Sequence, residues 1–313
     1  MDNWERLTIH IGMPKCASTS LQCGLFSTCS IHHYLGPTSP HFPEQLELKH
    51  RYLMAISGSE EIRWQKIKDE VKAYIMNYFD HNERCVISDE GIAHGYFGGV
   101  PEACGDRLLI AKRYREMFPG AQILMLIRNQ YDYLKSHFGE WNRRNFIDYP
   151  DFHRWLDECL NLRQNLITNP LFLPEYFEIY QVYSELFGVE RVKVLALETY
   201  AGCPEELFKE VAGITGIQVT DSVLSRSHHP YNTRTTLLNK RLAKLDFHYP
   251  FLRKLVPRSL AIKVWDSISR ISTTFDAEYS DEERASISEV YARGNRQLAE
   301  VTGLQLSSLG YPI

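Results

Sequence analysis

The sequence predicts an α/β protein with a central parallel sheet of about five strands flanked by helices, in a single domain over residues 1–313. Three observations carry this expectation. Five apolar runs of strand length, at 6–12, 30–35, 84–88, 122–127 and 191–197, alternate with stretches of helical periodicity, the pattern of parallel strands joined by crossover helices. The first run leads straight into a tight turn, a lysine and a hydroxyl-rich helix start. The fourth ends in an arginine, at the strand edge where ligands bind in sheets of this kind.

The first strand and its sequel read IHIGMPKCASTSLQ from Ile9 to Gln22. A helix start offers unpaired backbone N–H groups and the positive end of its dipole; Lys15 adds a full charge, and Ser18, Thr19 and Ser20 add hydroxyl donors. Gly12 lets the backbone turn where a side chain would clash. Together these make a phosphate cradle. It differs from the nucleoside triphosphate loop, which needs Gly immediately before Lys, because Pro14 stands there. Ala17, Leu21 and Leu25, at i, i+4 spacing, give the following helix a buried stripe.

Between the second and third strands, 60–79 repeats apolar residues at Ile62, Trp64, Ile67, Val71, Ile75 and Tyr78, the period of a helix. The fourth strand, QILMLI from Gln122 to Ile127, is continuously apolar, as a strand covered on both faces requires. Arg128 and Asn129 follow, then a helix whose Tyr131, Leu134, Phe138 and Trp141 share a face. Arg128 and Ser136 are expected to look into the same crevice as Lys15. A helix over 174–187, carrying Phe177, Tyr180, Tyr183 and Phe187, should stop at Gly188. Ser280 and Glu283 have the form of a capping box for a last helix with Ile287, Tyr291 and Leu298 on its inner face.

These segments resemble two signatures of the sulfotransferase family. The first is strand-Pro-Lys-x-Gly/Ala-Ser/Thr-Thr-helix, here Pro14, Lys15, Cys16, Ala17, Ser18 and Thr19, with Ala17 where most members have Gly. The second is strand-Arg-Asn-Pro followed by Ser, here Arg128, Asn129 and Ser136, with Gln130 in place of Pro. The close of the chain, NRQLAEVTGLQLSSLGYP, is similar to the tail of bacterial members, so the resemblance runs from about residue 7 to the C-terminus. It implies a P-loop-like sulfotransferase fold and 3′-phosphoadenosine 5′-phosphosulfate (PAPS) as donor, with 3′-phosphoadenosine 5′-phosphate (PAP) as product and no metal. Lys15, Cys16, Ala17, Ser18, Thr19 and Ser20 would hold the 5′-phosphosulfate, Arg128 and Ser136 the 3′-phosphate. Lys15 would stabilise the leaving phosphate, and Ser136 would restrain Lys15 until the acceptor arrives.

The base that takes the acceptor's proton is left open among Glu90, His94, His32 and His33. Glu90 is favoured because the third strand, RCVIS, ends in Ser88, Asp89 and Glu90 at the sheet's ligand-binding edge. The alternative is that Asp89 and Glu90 simply cap the next turn and that the histidines flank strands.

The whole chain carries a net charge of −4, yet 225–270 holds ten Lys or Arg against two acidic residues. This segment is amphipathic as well, and it suits an anionic glycan, a membrane surface touched through 237–265, or closure over the 3′-phosphate by His229, Asn232 and Arg234. A solvated basic helix face is the bland alternative. The expected acceptor is a hydroxyl on a carbohydrate or glycolipid; nucleic acid is not expected. Seven cysteines without a C-x-x-C pair, the absence of an Asn-x-Ser/Thr sequon and a start without signal-peptide character favour the cytoplasm. Two competing readings are a P-loop nucleotide kinase, opposed by the missing Gly-Lys-Ser/Thr, and an inactive nucleotide-binding module.

Overall fold

The computed structural model describes residues 4–28, 34–36, 61–78, 84–93, 107–143, 149, 151–162, 170–228 and 277–313. His32, His33, His94, His229, Asn232, Arg234 and the 237–265 segment lie outside them.

Five strands form one parallel sheet: β1 (Leu7–His10), β2 (Tyr34–Leu35), β3 (Cys85–Ser88), β4 (Gln122–Ile127) and β5 (Val192–Ala196), in the spatial order β2-β3-β1-β4-β5. Of the three inner strands β4 is the most apolar, for a simple reason. Helices cover both sheet faces, so Ile123 to Ile127 are 0% exposed and neither face of β4 has water to satisfy a polar side chain. The register Ile9↔Ile123 and Ile9↔Ile87 stacks branched side chains across the sheet centre.

The described helices are α1 (Ser18–Ser20), α2 (Glu61–Tyr78), α3 (Arg107–Met117), α4 (Gln130–Arg143), α5 (Phe152–Asn161), α6 (Tyr176–Phe187), α7 (Pro204–Thr215), α8 (Asp221–Leu224) and α9 (Asp281–Thr302). α1 continues through one π-helical turn, Leu21–Leu25. On α2, Trp64 is buried and donates its indole N–H to Glu116 Oε2 of α3 at 2.9 Å. Ile62, expected on the same buried stripe, is instead 71% exposed, because Trp64 and Ile67 set an inner face on the opposite side of the helix. α6 ends at Gly188 as expected, with φ at 98°, a conformation that glycine reaches without strain.

α9 begins with the capping box foreseen. Glu283 N donates to Ser280 Oγ at 3.2 Å and Ser280 N donates to Glu283 Oε2 at 2.8 Å. Its inner face adds a buried Asn295 to Ile287, Tyr291 and Leu298. Asn295 and Gln130 pair their side-chain amides reciprocally, at 2.9 and 3.1 Å, and donate further to Pro312 O and Pro174 O. Gln130, the residue that departs from the Arg-Asn-Pro signature, is thus the point where α4 is pinned to the C-terminal helix. Among the described residues no helix is long and apolar enough to cross a membrane.

Candidate functional site

β1 and β4 are neighbours at the sheet centre, and the chain leaves them toward opposite edges, β1 to β2 and β4 to β5. A crevice opens where two such strands part, and the residues after each strand line it. Here those are the turn Ile11–Ala17 and Arg128.

The turn is shaped by two consecutive devices. Gly12 admits no side chain: a Cβ there would lie 2.5 Å from Ser18 Oγ and 2.8 Å from His10 Cε1. Lys15 (φ 65°) and Ala17 (φ 61°) then take left-handed backbone on either side of a fully buried Cys16. Cys16 N and Ser18 Oγ both donate to Met13 O, each at 3.2 Å, closing the turn. No side chain caps the helix start at Ala17, so its first N–H groups are left for an anion. The hydroxyl of Ser18 is spent inside the turn, however, which corrects its expected role as an outward donor. Burial pushes the Cys16 thiol up, so it is a neutral thiol and only its backbone serves the loop.

Beneath the turn, His10 Nδ1 shares a 2.8 Å hydrogen bond with Ser88 Oγ, which also accepts from Gln22 Nε2 at 3.0 Å. Burial lowers His10 to about 3, so its ring is neutral. Its Nε2 has no hydrogen-bond partner and faces the space that Gly12 leaves. This network joins the ends of β1 and β3 to the helix after the turn.

Arg128 completes the crevice. Its Nη1 donates to Lys15 O at 3.2 Å, and its main-chain oxygen accepts from Tyr176 OH at 2.7 Å. Next to it, Asn129 caps α4: its Oδ1 accepts from Tyr131 N at 2.9 Å, while its own N–H donates to Glu198 Oε1 at 2.7 Å and its Nδ2 to Gly310 O at 2.5 Å. Tyr311 OH binds the other oxygen of Glu198 at 2.8 Å. The chain's last residues therefore brace the segment that carries Arg128. A cavity of about 460 Å³ adjoins it, lined by Ala17, Ser20, Arg128, Tyr200, Phe208 and His228 among others. It combines a guanidinium, a hydroxyl and a helix start with apolar and aromatic walls and with the carboxylates of Asp132 and Glu198.

The Lys15 ammonium lies 2.5 Å from Glu140 Oε2. The expected restraint by Ser136 is not made, since no hydrogen bond joins Ser136 to Lys15. Ser136 and Glu140 are one turn apart on α4, so the longer, charged side chain takes the contact. Glu90 follows β3 in a turn closed by Asp89, whose Oδ1 accepts from Gly91 N at 2.8 Å. The turn-capping role thus falls to Asp89. β1 and β3 run parallel with His10 opposite Ser88, so Glu90, two residues past β3, lies at the same sheet edge as the loop. Thr19 is half-buried beside Ser20. Among the described residues no group of three or more His, Cys, Asp or Glu could hold a metal ion.

Several participants were not foreseen. Glu140 was legible as an i, i+4 neighbour of Ser136. His10, Gln22 and Glu198 gave no local signal, because their partners are 66 to 113 residues away.

No family model matches the sequence, and no curated protein matches it. Among solved structures, a sulfotransferase from Alicyclobacillus acidocaldarius superposes with a TM-score of 0.55 at 17% identity, covering 96% of this chain and 97% of that one. The chain has a sulfotransferase-type fold. The sulfotransferase domain of the Synechococcus PCC 7002 olefin synthase (15% identity, 90% and 93% covered) and that of the curacin biosynthetic pathway (14%, 91% and 97%) score 0.38 and 0.39, too low to add to this. In the sulfotransferase-type frame the turn after β1 and the arginine after β4 sit at the sheet's centre, one strand apart.

Proposed function

We propose that this protein is a sulfotransferase that takes a sulfuryl group from PAPS and delivers it to a hydroxyl, on a carbohydrate or glycolipid. The observation that carries the reading is the convergence of Arg128 on the loop of Lys15, 3.2 Å from guanidinium to main-chain oxygen, beside an open cavity.

The residues present fit such a donor. A bisphosphate needs fixed positive charge at two places and backbone donors between them; Arg128, Lys15 and the uncapped start of α1 supply these. PAPS, when bound, supplies the sulfuryl group and a stable bisphosphate leaving group. Lys15 carries the charge that offsets negative charge on the bridging oxygen, the term that usually dominates transfer of this type. Arg128 and Ser20 would hold the donor, and the walls at Tyr200 and Phe208 would offer its base an apolar surface. Glu90 is the assigned base, on the loop side of β3, with His94, His32 and His33 as the other candidates. Ser227 and His228, at the start of the basic segment, line the same cavity, which favours a donor-closing role for 225–270, through Asn232 and Arg234, over membrane contact.

The test is calorimetric titration with PAP, with ATP and magnesium as the comparison and Arg128→Ala as the control. Binding of PAP that the variant loses supports the donor. A preference for ATP with magnesium would replace the proposal by a nucleotide kinase, and binding without turnover on any acceptor by an inactive nucleotide-binding module.

A further inference from the structure

We propose that Glu140 is a positioning residue for Lys15, a carboxylate that a donor phosphate must displace to recruit the lysine. This rests on the donor reading above and adds to it the group that sets how readily the loop accepts an anion.

Both ends of Lys15 are held by charged groups from one continuous segment. Arg128, at the end of β4, holds its main-chain oxygen at 3.2 Å, and Glu140, in the last turn of α4, holds its ammonium at 2.5 Å. The Lys15 backbone is left-handed, a conformation that a lysine adopts only when its surroundings impose it. The position of the cation is therefore dictated by where α4 lies against the loop.

The two side chains are 16% and 20% exposed, so water screens the pair less than it does a surface ion pair. The buried His137, one turn before Glu140, senses both partners in opposite directions: Glu140 raises its ring's affinity for a proton and Lys15 lowers it. A phosphate approaching the loop meets a lysine whose charge is already matched. Binding is then an exchange of one anion for another at the same ammonium, and the carboxylate lowers donor affinity by the worth of the pair.

The consequence separates Glu140 from a side chain that merely packs. PAP is titrated calorimetrically into the full chain and into Glu140→Gln, which is isosteric and uncharged. The same substitution is then repeated in a Lys15→Met background. The expected result is about fivefold tighter binding in the single variant and no gain in the double variant. Glu140→Asp, charged but one methylene shorter, should fall between wild type and Glu140→Gln, and it serves as the second variant if the amide does not fold. Unchanged or weaker binding in Glu140→Gln overturns the proposal. So does an equal gain in the Lys15→Met background, which would be a through-space charge effect that bypasses Lys15. In either of those cases wild-type binding of PAP still stands, so the donor reading survives. A wild-type chain that binds no PAP removes both.

Discussion

Arg128 and Lys15, 113 residues apart, are joined by a hydrogen bond from the guanidinium Nη1 to the lysine's main-chain oxygen at 3.2 Å. The arginine therefore has two tasks: it presents a planar cation to the crevice, and it holds the left-handed residue that carries the other cation.

Arg128→Ala should weaken PAP by about 10- to 100-fold, since a charge-assisted hydrogen bond to a phosphate is worth roughly 1.5 to 3 kcal/mol. Arg128→Lys keeps the charge but loses the fork, and should recover only part of this. Calorimetry at one fixed salt concentration checks both; wild-type affinity in Arg128→Ala would remove the guanidinium from the donor site.

Glu90→Gln should leave PAP affinity unchanged and slow sulfuryl transfer by about 10² to 10⁴, the usual contribution of a general base. A radiolabelled-PAPS assay with a glycan acceptor would read the rate. Loss of less than tenfold would pass the role to His94, His32 or His33.

Gly12→Ala should cost about 1 to 3 kcal/mol of stability and weaken the donor together, because the new methyl would sit 2.5 Å from Ser18 Oγ and force it off Met13 O. Urea denaturation measures the first and calorimetry the second. A variant as stable as wild type would mean that the turn has room the structure does not show.

Gln130→Pro, which restores the residue usual in the Arg-Asn-Pro signature, should destabilise this chain by about 1 to 3 kcal/mol. Proline suits the first turn of a helix, but the change leaves the buried Asn295 amide without its partner. Adding Asn295→Leu should return part of the loss in the same denaturation experiment.

Acid should unfold the protein earlier than carboxylates alone would cause. His10 and His137 are both lowered to about 3 by burial, with Glu140 pulling His137 up and Lys15 pushing it down. Unfolded histidines titrate near 6.5, so between that pH and about 3 the unfolded chain binds more protons than the folded one. Their contribution is complete above pH 6.5 and falls as pH drops, by up to about 1.4 kcal/mol per pH unit for each ring. Urea midpoints at pH 7 and pH 5 should show this, and His137→Phe, which keeps a ring between Tyr133 and Trp141, should flatten the slope. An unchanged slope would show that His137 protonates in the folded state.

The sequence by itself determined the five strands, the end of α6 at Gly188, the capping box that starts α9, and the placement of Lys15 and Arg128 directly after strands. These rest on local causes: apolar runs of strand length, glycine at a helix end, and charges placed directly after strands. Ala17 already marked a position where glycine is usual, and the structure supplies the cause in its φ of 61°. Only the tertiary structure decided which carboxylate meets Lys15 and that Gln130 pairs with Asn295. Each of these depends on which side chains from distant segments arrive at the same few ångströms, and on which partner is long enough to reach. Helical spacing put Ser136 and Glu140 on one face with equal claim, and the packing of α4 against the loop gave the lysine to the glutamate.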